Sequence, residues 1–152
     1  MEEDEFQDKL KDMNNLKCRH SKVIFSRNGE CTHAKKFLIA EREGINCESA
    51  AGEKLCAAWV KHLKSNCLFA LNITDTEAEL PHGKAIKLQT GGLIGLTKNL
   101  NPGSTTALPI PNIFTLLEQS IKHFGRIEDI PLENIITSIS AFQARKRSKK
   151  RQ

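Results

Sequence analysis

Apolar residues recur at helical spacing in three parts of the chain. The first follows Ser49, a residue that caps helices well. Its apolar positions are Leu55, Cys56, Trp59, Val60, Leu63 and Cys67. The second lies between Asn112 and Gly125, which are typical of the start and the end of a helix. The third follows Pro131, which is favoured in a first helical turn, so three amphipathic helices are predicted.

Shorter patterns predict strands and loops elsewhere. Residues 22–25 and 68–73 are predicted as strands, and residues 85–88 as another because their polarity alternates weakly. A short helix is predicted from residue 32 to a stop near Gly44. Residues 90–111 are rich in glycine and proline and predict a long loop. The glycines there lack the spacing of phosphate-binding loops, so a structural turn or bulge is predicted instead.

Length and composition are typical of one globular domain. The chain has 152 residues, of which 39% are apolar and 27% charged. Together with the patterns above, this predicts an α+β fold, mainly helical with a few short strands. We expect an acidic N-terminal segment at residues 1–15, a single globular domain at 16–144 and a flexible basic tail at 145–152.

The sequence indicates a reducing compartment. Its first residues are acidic and are not followed by the apolar stretch of a secretory signal. No apolar run is long enough to cross a bilayer, so no membrane association is expected. The predicted location is the cytoplasm, or the nucleus if the source is a eukaryote. The five cysteines are then expected to be thiols or metal ligands and not disulfides.

The cysteines all lie in the first half of the chain. Thiolates are the ligands that zinc and iron-sulfur clusters select, and four of them complete either site. The predicted ligands are Cys18, Cys31, Cys47 and Cys56, with His20 and His33 as alternates. Because the chain contains no C-x-x-C, ligands held by separate elements favour an iron-sulfur cluster over a zinc knuckle.

Other interpretations of the thiols stay open. Buried cysteine packs like a small apolar residue, and Cys67, on the apolar face of its helix, is predicted to be core. The whole protein is then a cofactor-free interaction subunit with packed thiols, whose loop at residues 90–111 contacts a partner. Alternatively, Cys47 is a reactive thiol, because it lies near the positive N-terminal end of a helix. An enzyme is the third choice, since no acid, base and nucleophile can be assembled from spacing.

The C-terminal tail is strongly basic. Much of the formal net charge of +5 comes from it. Its predicted nucleic-acid-binding residues are Arg145, Lys146, Arg147, Lys149, Lys150 and Arg151. Such a run can neutralise several phosphates, although a solvated tail explains it equally well. The chain has no tyrosine and one tryptophan, which does not indicate an aromatic platform for stacking bases. The sequence therefore predicts a small metal-binding regulatory or binding protein that contacts nucleic acid through this tail.

Overall fold

The computed structural model describes residues 16–75, 79–103 and 108–143, which form five α-helices, a β-hairpin and two short 3-10 helices. The elements are α1 (Ser21–Phe25), β1 (Ala34–Ile39), β2 (Arg42–Cys47), α2 (Ala50–Asn66), α3 (His82–Leu100), α4 (Ile113–Phe124) and α5 (Glu133–Ala141). The predicted α+β class, mainly helical, is confirmed. The acidic segment at residues 1–15 and the basic residues from 145 onward lie outside the described residues.

The three predicted amphipathic helices are α2, α4 and α5. The side chain of Ser49 accepts a hydrogen bond of 2.9 Å from the backbone N–H of Gly52, which caps α2 as predicted. Helix α4 ends at Gly125, whose φ of 110° is a conformation that glycine adopts without steric cost. Local capping residues were therefore sufficient to place these helices.

Two predictions near the N-terminal end are wrong. The helix expected from residue 32 is the antiparallel hairpin β1–β2, in which Ala34 pairs with Cys47 and Ile39 with Arg42. Its two turn residues, Ala40 and Glu41, both have positive φ, a conformation that these residue types do not signal. The strand expected at residues 22–25 lies within α1, which at five residues is too short to show a helical period.

The strands expected at residues 68–73 and 85–88 are also wrong. Residues Leu68–Leu71 form a 3-10 helix. Residues 85–88 belong to α3, which also contains the first half of the segment predicted as a loop. Residues 90–98 are therefore helical, with no turn or bulge.

The glycines of α3 serve close helix packing. A Cβ atom at Gly91 would lie 2.5 Å from the Cα of Ile139, and one at Gly95 would lie 2.5 Å from the Cα of Ile135. Both isoleucines belong to α5, so the two backbones approach more closely than any larger side chain permits. Glycine at these two positions therefore permits the close contact between α3 and α5.

One apolar cluster connects the elements. Trp59, Leu93, Leu117 and Ile139 are fully buried within it and come from four different helices. Cys67, at the C-terminal end of α2, is also fully buried in this cluster, as predicted. No helix in the described part of the chain has the length and apolarity that a membrane span requires.

Candidate metal centre

Four of the five cysteines line one cavity. Cys18 precedes α1, Cys31 lies between α1 and β1, Cys47 ends β2, and Cys56 is in α2. These are the four residues predicted as ligands, and the alternates His20 and His33 line the same cavity. Cys67 does not line this cavity, although Cys56 belongs to the same apolar cluster as Cys67.

Backbone hydrogen bonds place Cys18 beside Cys47. The N–H of Cys18 donates to the carbonyl of Ile45 at 3.1 Å, and the N–H of Cys47 donates to the carbonyl of Leu16 at 3.2 Å. An antiparallel bridge between Lys17 and Asn46 lies between these two bonds. The residues before α1 therefore extend along β2 and bring two distant thiols together.

Cys31 is held by the segment that precedes α4. The N–H of Glu30 donates to the carbonyl of Ile110 at 3.0 Å, and the carbonyl of Glu30 accepts from the N–H of Ile113 at 2.8 Å. The carbonyl of Cys31 accepts from the N–H of Ala34 at 3.1 Å, which closes a turn into β1. Cys31 is thus fixed between the hairpin and α4.

An ion pair connects the segment of Cys18 to the helix of Cys56. The Nη2 atom of Arg19 lies 2.6 Å from Oε2 of Glu53, and the Glu53 side chain is mostly buried. Both residues line the cavity, as does Phe114 of α4. Sequence reasoning missed Arg19 and Glu53, because two charged residues so far apart in sequence carry no signal that they pair.

The thiols repel one another as anions. Burial is the main cause that raises the pKa of Cys18 to about 11 and that of Cys56 to about 12, and the proximity of the other three cysteines contributes to the value for Cys56. Mutual repulsion acts in every pair among the four. Without a cation between them, these groups are therefore protonated thiols at neutral pH.

Burial of Cys47 does not favour its interpretation as a reactive thiol. Burial raises its pKa, whereas a reactive thiol needs a lowered one. A hydrogen bond with the backbone of Ser49 lowers the pKa, but burial is the larger effect.

His20 is the more suitable of the two alternate ligands. It is 1% exposed, and neither ring nitrogen has a hydrogen-bond partner. Burial lowers its pKa to about 4, so the ring is neutral and one nitrogen keeps a free lone pair. His33 instead packs edge to face on Phe114, with ring centroids 4.7 Å apart. An unpaired buried imidazole is costly unless something binds it.

The cavity is small. Its free volume is about 10 Å³, close to the space that one water molecule needs. Among the described residues, no three cysteine, histidine, aspartate or glutamate side chains are yet arranged to hold a metal ion. The two findings differ because lining a cavity requires only a shared space, whereas four sulfurs around one zinc ion lie roughly 3.8 Å apart. Ligation therefore requires the thiols to turn towards a common centre.

No protein-family model, curated protein or solved structure matches the chain. The functional argument therefore depends on the residues themselves.

Proposed function

We propose that this protein binds a metal, as a zinc ion or an iron-sulfur cluster, through Cys18, Cys31, Cys47 and Cys56, and contacts nucleic acid through its basic C-terminal residues. The observation that supports the metal site is the meeting of four thiols from four separate segments in one cavity. Cys67, by contrast, does not line this cavity.

Two features favour a single zinc ion over a cluster. The cavity has room for about one atom-sized sphere, whereas a cluster requires a larger displacement of the surrounding side chains. Zinc also accepts imidazole nitrogen in place of sulfur, and the unpaired ring of His20 is close by. Ligands dispersed over separate elements suit a cluster better than a zinc knuckle, so metal analysis decides between the two.

The site's proposed role is to hold separate segments together. Its ligands belong to the residues before α1, the turn into β1, the end of β2 and the helix α2. A metal bound to all four cross-links these segments and adds its binding free energy to that of folding. The basic run at the other end of the chain then supplies the contact with phosphates.

Elemental analysis of protein purified without oxygen tests the metal site. We expect about one zinc ion for each chain, or about four iron and four sulfide ions if the site holds a cluster. Cys56→Ser is expected to lower the metal content several-fold, because it removes a ligand.

Cys67→Ala is the matched control, since it changes a cysteine outside the cavity. Its metal content is expected to equal that of the wild-type chain. Wild-type protein without stoichiometric metal contradicts the proposal, and so does an equal loss in both variants.

A further inference from the structure

Two open clefts adjoin at Arg27, which lines both. The first, of about 550 Å³, is also lined by Lys36 and by Cys31 of the metal centre. The second, of about 810 Å³, is lined by Phe25 and Phe142. We call the combined surface the Arg27 groove, and it extends from the metal centre to the last described residues of the chain.

The groove carries unpaired positive charge. The side chains of Arg27 and Lys36 are exposed, and among the described residues neither forms an ion pair. The first cleft contains one carboxylate, that of Glu30, against these two cations. A negatively charged occupant therefore complements this surface.

The groove also exposes apolar side chains. Phe25 is 41% exposed and Leu108 is 38% exposed, and both line the second cleft. Phe142 faces the same space, and its position is fixed because Nζ of Lys87 donates to its carbonyl at 2.7 Å. Aromatic rings beside cations are the combination on which bases stack while phosphates are neutralised.

The basic run begins where the groove ends. Gln143 lines the second cleft, and Arg145 follows two residues later. The basic run therefore follows directly in sequence after a residue that lines the groove.

We propose that the Arg27 groove binds single-stranded nucleic acid, with Phe25 and Phe142 stacking on bases and Arg27 and Lys36 contacting phosphates. This inference rests on the proposed contact between the basic tail and nucleic acid, and it names the substrate class. A duplex keeps its bases stacked on each other, so the two phenylalanines select the single strand. The numbers of tyrosine and tryptophan residues do not indicate this site, because the proposed stacking rings are phenylalanines from opposite ends of the chain.

Fluorescence anisotropy with the full, metal-loaded chain tests the groove. The probes are a labelled oligothymidylate of about 12 nucleotides and a duplex of the same length. We expect the single strand to bind more tightly, and Phe25→Ala to weaken its binding by about fivefold or more. Arg27→Ala is expected to lower the salt dependence by about one phosphate contact. Glu30→Gln should strengthen binding, because it removes the opposing carboxylate.

Phe69→Ala is the matched control. Phe69 is 62% exposed but lines neither cleft, so its replacement should leave binding unchanged. Tighter binding of the duplex, or equal effects of Phe25→Ala and Phe69→Ala, contradicts the proposal that the groove binds single strands.

Deletion of residues 145–152 distinguishes a failure of the proposed groove from a failure of the proposed tail contact. If the deletion weakens binding while Phe25→Ala and Arg27→Ala bind like the wild type, the groove is wrong and the tail contact stands. If the deletion has no effect while the groove variants weaken binding, the tail contact is wrong and the groove stands. If the chain binds neither probe, the proposed groove and the proposed tail contact are both contradicted, and a protein partner is the alternative occupant of the groove.

Discussion

Removal of the proposed metal from the intact protein is expected to abolish most hydrogen-exchange protection of the backbone amides in the β-hairpin and the segment before α1. Structural zinc sites contribute about 10–16 kcal/mol to the folded state of small domains, which is as large as the whole stability of many proteins. A chelator tests this without any substitution, with exchange measured before and after metal is restored.

The hairpin is the part of the fold that most needs such support. An isolated two-stranded hairpin is marginal in water, and only the last three residues of β2, Ile45–Cys47, are buried. Leu38 of β1 is 66% exposed. Cys31 lies just before β1 and Cys47 ends β2, and both line the cavity. A metal bound there therefore anchors the hairpin.

The helical core provides the internal control for chelation. Helices α3 and α5 pack through Gly91 and Gly95 and contribute no residue to the lining of the cavity, so their amides should keep most of their protection. A variant with Cys18, Cys31 and Cys47 all replaced by serine should not respond to the chelator. Unchanged hairpin protection after complete removal of metal contradicts the proposed role of the site.

Gly95→Ala is expected to destabilise the fold by about 3 kcal/mol or more. The added Cβ would lie 2.5 Å from the Cα of Ile135 and 2.9 Å from its backbone N, so the backbones of α3 and α5 must separate. A backbone atom cannot move aside as a flexible side chain does. Chemical denaturation with a two-state fit gives the change in the free energy of unfolding.

Gly83→Ala is the control for this substitution. Gly83 lies in the same helix, and a Cβ there meets nothing within 4 Å. Because alanine forms helix more readily than glycine, this variant is expected to be neutral or more stable by up to about 1 kcal/mol. Equal free energies of unfolding for the two variants would show that α3 and α5 do not require the close contact.

Elements with local signals were predictable from the sequence, and those defined by tertiary contact were not. Ser49 and Gly125 act on their own backbone, so α2 and α4 were placed correctly. Gly91 and Gly95 indicated a loop because glycine is unfavourable in an isolated helix. Glycine is required at these positions because the backbone of α5, some forty residues further along the chain, packs against them. No local sequence pattern indicates that contact.

The candidate site divides in the same way. Residue type was enough to select the four cysteines and to assign Cys67 to the core. Sequence cannot give the bridge between Lys17 and Asn46 that brings Cys18 beside Cys47. Proximity to a helix end suggested a reactive Cys47, but burial raises its pKa.

X-ray absorption at the metal edge of protein purified without oxygen tests the central claim most directly, because it counts the sulfur atoms bound to the metal. We expect about four sulfur ligands at roughly 2.3 Å, or three sulfurs and one nitrogen if His20 replaces a thiol. Cys67→Ala should give the same spectrum. A shell of oxygen and nitrogen with fewer than three sulfurs would contradict a metal held between Cys18, Cys31, Cys47 and Cys56.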